Sequence, residues 1–164
     1  MKTAREIIEK YDGPDVRIME VCGTHTHEIF RLGIRKLLPE QVELISGPGC
    51  PVCVTPVSFI DEAIYLALEK GVTICTFGDL VRVPGTKMSL AGAREQGAKI
   101  HVVYSPADAE KYAGEHPDEQ VTFLSVGFET TTPAGCLSVK AAREDGLDNY
   151  SILPTKPCLR LMKR

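Results

Sequence analysis

The sequence predicts an α/β fold: a mostly parallel sheet of about five or six strands with helices on both faces, a Rossmann-like three-layer sandwich. Three observations predict it. Short β-rich runs alternate with longer segments of helical period, the rhythm of βαβ units. One of those runs, residues 72–77, is short and β-branched enough to be a buried strand. No internal repeat, low-complexity tract or linker separates two halves, so residues 1–153 read as one α/β domain followed by an atypical tail over 154–164.

The elements follow in order. Thr3-Ala4-Arg5-Glu6 is a capping-box pattern that opens a first helix carrying Ile7 and Ile8. Asp12-Gly13-Pro14 breaks the chain before a strand over residues 16–21. A second helix is expected to start near Thr26, because Ile29, Phe30, Gly33, Ile34, Leu37 and Leu38 recur at spacings of three and four until Pro39. Residues 42–46 are the second strand. Residues 47–56, Gly-Pro-Gly-Cys-Pro-Val-Cys-Val-Thr-Pro, hold three prolines and two glycines and must form a stiff, shaped loop.

A third helix from about Ser58 presents Ile60, Ala63, Ile64, Ala67 and Leu68 on one stripe and ends at Gly71, before the strand over 72–77. Residues 80–87 form a loop around Pro84-Gly85, residues 89–96 a short helix, and residues 99–104 a fourth strand. Ser105-Pro106 opens another helix, residues 121–126 are the fifth strand, and Pro133 begins a helix running to about Asp145. Residues 150–153 fit a sixth strand.

Composition narrows the function. Among 164 residues, 43% are apolar and 25% charged, an ordinary globular mixture. Nineteen Lys and Arg against 22 Asp and Glu give a net charge of −3, which advertises neither nucleic acid nor an anionic membrane. The first ten residues lack an apolar signal core, and no stretch reaches the roughly 18 apolar residues of a bilayer span, so a cytoplasmic location is expected. In a reducing compartment the six cysteines point to metal binding, redox chemistry or buried thiols.

Ligands of open parallel sheets bind outside the carboxyl ends of the strands. Three cysteines fall there: Cys22 in Cys22-Gly23-Thr24-His25-Thr26-His27 after the first strand, and Cys50 and Cys53 in the loop after the second. Parallel neighbours lie about 4.8 Å apart, so if these two strands pair, their loops can gather all three sulfurs. A helix N-terminus lowers the ordinary thiol pKa of about 8.5, and Cys22 is well placed for that. A Cys-x-x-Cys pair can close a disulfide or chelate a soft metal, and Pro51 stiffens the turn between its members. A fourth ligand would be an imidazole, His25 or His27; at a helix start these diverge by roughly 200°, so at most one faces the thiols.

The remaining candidates carry plainer readings. Cys75 in a buried strand and Cys136 on a helix read as packing residues, Cys158 as an exposed residue of the tail, and His101 and His116 as structural or solvated. Residues 127–133, with Glu129 and Thr130, read equally well as a helix cap or as a loop serving a site. Asp79 and the stretch from Arg82 to Gly85 read as a lid or a connection. Three function classes remain open: a metal-handling assembly protein, a thiol-disulfide oxidoreductase using Cys50 and Cys53, and a zinc-stabilised interaction module.

Four motifs in order resemble the hydrogenase maturation family HypD: residues 22–27, residues 47–56, Thr76-Phe77-Gly78-Asp79 with Arg82-Val83-Pro84-Gly85, and residues 125–131. The resemblance covers about residues 4–153. It implies a scaffold on which, together with HypC and HypE, the Fe(CN)2CO group of [NiFe]-hydrogenase is assembled before reaching the large subunit. Carried over by motif, Cys22 would bind the iron with His25 beside it, and Cys50 and Cys53 would be the pair tied to thiol redox chemistry and iron handling; Thr24, His27, Asp79, Glu129 and Thr130 lie in possible site loops. An assembly scaffold is expected more than a turnover enzyme. Family members continue into a second α/β domain and a region whose cysteines hold a [4Fe-4S] cluster. The spacing of Cys75, Cys136 and Cys158 does not supply that set, so the cluster is expected to be absent from this chain and the tail to reflect a truncated or frameshifted gene product.

Overall fold

Six strands alternate with six α-helices in a computed structural model that describes residues 3–47 and 49–155. The strands are all parallel, as the βα rhythm requires, but they form two sheets, one of two strands and one of four, where the sequence suggested one. The chain correspondingly divides into two units, Met1–Cys53 and Val54–Arg164.

In the first unit, α1 (Ala4–Glu9) is opened by the expected capping box: Thr3 Oγ1 accepts from the Glu6 amide at 3.3 Å, and Glu6 Oε2 accepts from the Thr3 amide at 2.8 Å. Strand β1 (Val16–Glu20) pairs with β2 (Val42–Ser46) in a register running from Val16 opposite Val42 to Glu20 opposite Ser46. Between them α2 spans Gly23–Arg31 and starts three residues earlier than the apolar spacing suggests, because extended Cys22 takes the N-cap position. It also ends early. The Leu32 amide still bonds to the Glu28 carbonyl, but the Gly33 amide tightens onto Phe30, and a separate 3-10 turn follows over Ile34–Lys36. The expected apolar stripe is not buried: no residue of α2 is, and Phe30 is 66% exposed.

In the second unit, α3 (Val57–Glu69), β3 (Thr73–Thr76), α4 (Leu90–Glu95), β4 (Ile100–Val102), α5 (Pro106–Glu115), β5 (Val121–Val126), α6 (Thr132–Glu144) and β6 (Tyr150–Thr155) follow in sequence. The strand order is β4-β3-β5-β6. The chain steps from β3 outward to β4, then crosses back to place β5 on the other side of β3, so the sheet has its switch point between β3 and β5. Every residue of β3 and β5 is buried, which a parallel sheet achieves only when helices cover both faces.

On one face Cys75, Val121 and Phe123 pack with Ala109 and Ala113 of α5, and the Phe77 ring meets Phe123 edge-on at 5.4 Å. Ile60, Ile74, Leu80, Leu90 and Leu124 are also fully buried, each worth about 1.5–3 kcal/mol. Cys75 is the packing residue its strand suggested, and burial pushes its pKa up to about 12. Cys136 on α6 is exposed instead: it lies on the outward side of the helix, away from buried Gly135 and Ser138. Cys158 and the tail beyond Thr155 lie outside the described residues. No helix among the described residues is long and apolar enough to cross a membrane.

Candidate thiol site

The first unit carries all three cysteines singled out by their loops. Its two parallel strands end side by side, Glu20 opposite Ser46, and the Gly47 amide continues the ladder by donating to the Glu20 carbonyl at 2.8 Å. The two loops therefore leave from a common, hydrogen-bonded edge.

Cys22 follows that edge by two residues and caps α2. The backbone N–H groups of Thr24 and His25, at the second and third helical positions, stabilise the sulfur as thiolate, and the Thr24 side chain adds to them, so the Cys22 pKa is lowered. The Cys22 thiol makes no conventional capping hydrogen bond, so the helix N-terminus acts on it through the field of its amides. His25 thus acts on Cys22 through its amide, while its imidazole, like that of His27, is exposed on α2.

Cys50 and Cys53 are both free thiols, and their Sγ atoms are 2.9 Å apart; the Cys53 amide also donates to Cys50 Sγ at 3.4 Å. Gly49 enters this turn with a φ of +98°, a conformation that side chains resist. The bond between the two thiols raises the Cys53 pKa, and the charge of Cys22 adds a smaller rise. The two shifts run in opposite directions: helix amides lower the Cys22 pKa, and the bond to Cys50 raises that of Cys53. Among the described residues no group of three or more His, Cys, Asp or Glu is already arranged to hold a metal ion. The donor chemistry suits a soft metal, since all three side chains offer sulfur.

Asp79, on the 3-10 turn Gly78–Arg82, and Glu129 and Thr130, on the 3-10 turn Glu129–Thr131, belong to the second unit, where all three are exposed after β3 and β5. Two residues that bear on the motifs escaped sequence reasoning. Asp61 on α3 receives the Thr86 amide at 2.7 Å and the Thr86 hydroxyl at 2.6 Å, fixing the loop around Pro84 and Gly85. Glu20 ends β1 with a buried carboxylate that accepts from Ser46 Oγ at 2.9 Å and from Thr26 Oγ1 and Arg35 Nη2 at 3.4 Å each. An acidic residue at the last position of an otherwise β-forming run, two before a cysteine, was the available signal for Glu20. An Asp between buried Ile60 and Ala63 was the signal for Asp61.

Fold and site together define a parallel α/β protein in which a helix-capping cysteine and a Cys-x-x-Cys dithiol follow two paired strands. The chain belongs to the HypD family: the family model described as "Hydrogenase formation hypA family" matches residues 1–162. It is 51% identical over 146 residues to the hydrogenase maturation factor HypD of Cupriavidus necator, covering 88% of this chain and 38% of that protein. Identity is 52% over 137 residues to HypD of Azotobacter vinelandii, covering 83% and 36% respectively. With HypD of Escherichia coli it is 50% over 135 residues, covering 82% and 36%. The chain spans well under half the length of these curated relatives.

Proposed function

We propose that this chain is the iron-ligand and thiol portion of a cytoplasmic hydrogenase maturation scaffold, on which the Fe(CN)2CO group is assembled as cargo with HypC and HypE and then passed toward the hydrogenase large subunit. The observation that carries the reading is the parallel pairing of β1 with β2, which sends the loop of Cys22 and the loop of the Cys50/Cys53 dithiol out from one hydrogen-bonded strand edge. Thiolate sulfur and imidazole suit low-spin iron bearing cyanide and carbon monoxide, so Cys22 is the iron ligand and His25 its neighbour. The dithiol is the redox partner. Closing it to a disulfide releases two electrons and two protons, which an iron-centred or disulfide acceptor would take up.

The test is infrared spectroscopy of anaerobically purified protein co-expressed with HypC and HypE. Cyanide and carbonyl bands are expected, and Cys22→Ala should remove them; bands unchanged by that substitution reject the assignment. The 2.9 Å separation of the Cys50 and Cys53 sulfurs favours one alternative, a thiol-disulfide oxidoreductase. That alternative predicts a measurable redox potential and an activity that survives loss of Cys22. Metal analysis of the anaerobic protein separates both from a zinc module, which would carry tight zinc and unfold with chelator.

A further inference from the structure

Among the described residues of the first unit, the Glu20 carboxylate is the buried charged group. Its side chain is only 4% exposed, and Oε2 is buried without any hydrogen-bond partner, while Oε1 takes all three donors. A carboxylate removed from water with half its acceptor capacity unused is costly, and an apolar residue would avoid that cost. Arg35 repays little of it: its guanidinium sits 3.4 Å away, 40% exposed, and also lies over the Phe30 ring at 5.3 Å.

What Oε1 does is connect. Thr26 lies in the first turn of α2, where its amide donates its helical bond to the Cys22 carbonyl at 3.1 Å and its hydroxyl donates to Glu20 Oε1 at 3.4 Å. Ser46 is the last residue of β2, one before the loop of Cys50 and Cys53. The Glu20 backbone carbonyl meanwhile holds Gly47. One residue thus grips the helix that presents Cys22 and the strand exit that presents the dithiol.

We propose that Glu20 is a positioning residue whose buried carboxylate ties the start of α2 to the end of β2 and so sets the separation between Cys22 and the Cys50/Cys53 pair. The inference deepens the reading of the site as a three-thiol centre, but its test uses neither iron nor diatomic ligands. In the full chain carrying Cys50→Ser, Cys136→Ser and Cys158→Ser, the remaining accessible thiols are Cys22 and Cys53. Dibromobimane, which fluoresces once both its arms have reacted with thiols, reads their proximity.

Bridging is expected in this background and in its Glu20→Gln derivative, which keeps the Oε1 acceptor. Glu20→Ala and Thr26→Val should bridge about fivefold less, the order expected from one lost hydrogen bond, with circular dichroism unchanged. Thr26→Val decides the matter if Glu20→Ala fails to fold. Unchanged bridging in the folded Glu20→Ala or Thr26→Val protein, or no bridging in the background, overturns the proposal. Missing infrared bands with this bridging pattern intact would instead retire the iron reading alone.

Discussion

Gly47→Ala is the sharpest single perturbation of the shared strand exit. Gly47 has no positive φ, so alanine meets no backbone penalty there. The obstacle is a close approach: a Cβ would collide with the Glu20 carbonyl oxygen and lie 3.1 Å from both the Glu20 carbonyl carbon and Met19 Cγ. That oxygen cannot retreat without stretching its own 2.8 Å bond from the Gly47 amide. Overpacking costs about 1–3 kcal/mol and the weakened hydrogen bond about 1 more, a total of about 2–4 kcal/mol. If β1 and β2 open as a local unit, their amides should exchange with solvent about 30- to 700-fold faster, at 1.4 kcal/mol per factor of ten. Hydrogen-exchange mass spectrometry of peptides from the two strands measures this. Gly23→Ala, whose Cβ would meet nothing within 4 Å, is the control and should leave exchange unchanged. A Gly47→Ala protein that exchanges like the parent would refute the close-packed edge and the site built on it.

Further predictions concern the thiols and the second unit. Iodoacetamide followed by mass spectrometry should label Cys22 before Cys53, and Cys75 last, since helix amides stabilise the first thiolate, the bond to Cys50 holds the proton on the second, and burial pushes the third to about 12; early labelling of Cys75 in the native protein would contradict this order. Asn149→Ala removes a buried amide that donates to the carbonyls of Ala113, His116 and Glu119 at 2.9–3.0 Å, and should cost about 1–3 kcal/mol in denaturant titration. The Glu119 pKa is lowered by its bonds from Lys99 and then Thr73. The sign follows from linkage: the stabilisation is present above the unfolded carboxyl value of about 4.3 and is lost as pH falls through the lower folded value. Glu119→Gln should therefore lower the melting temperature at pH 7 and flatten its acid decline, whereas an unchanged acid limb would count against the pair.

Much of this architecture was legible in the chain. Strand Val121–Val126 and the capped starts at Thr3, Ser89 and Ser105 lie where β-branched runs and side-chain caps put them, because those signals are local. The start of α2 is hidden from apolar spacing, which begins only after the first turn that Cys22, Gly23 and Thr24 supply. The stripe containing Phe30 is real as a pattern, but periodicity identifies an apolar face without saying what covers it. Division of six parallel strands into two sheets is a non-local outcome that no residue announces.

The site was half legible. The motifs of Cys22, Cys50 and Cys53 stood out by Gly and Pro content and by their places after two strands, and those strands do pair. The grip of Glu20 on Thr26 and Ser46 depends on which face of β1 lies under α2, and alternation alone leaves that open.

Whether Cys22 and the Cys50/Cys53 dithiol serve one iron-handling centre is decided by the ligands of bound iron. Iron K-edge X-ray absorption of the anaerobic protein loaded with ferrous iron reads those ligands. A shared centre should give a sulfur shell around the iron that weakens in Cys22→Ala and again in Cys50→Ala/Cys53→Ala. Iron whose sulfur coordination is the same in Cys22→Ala as in the parent would contradict it.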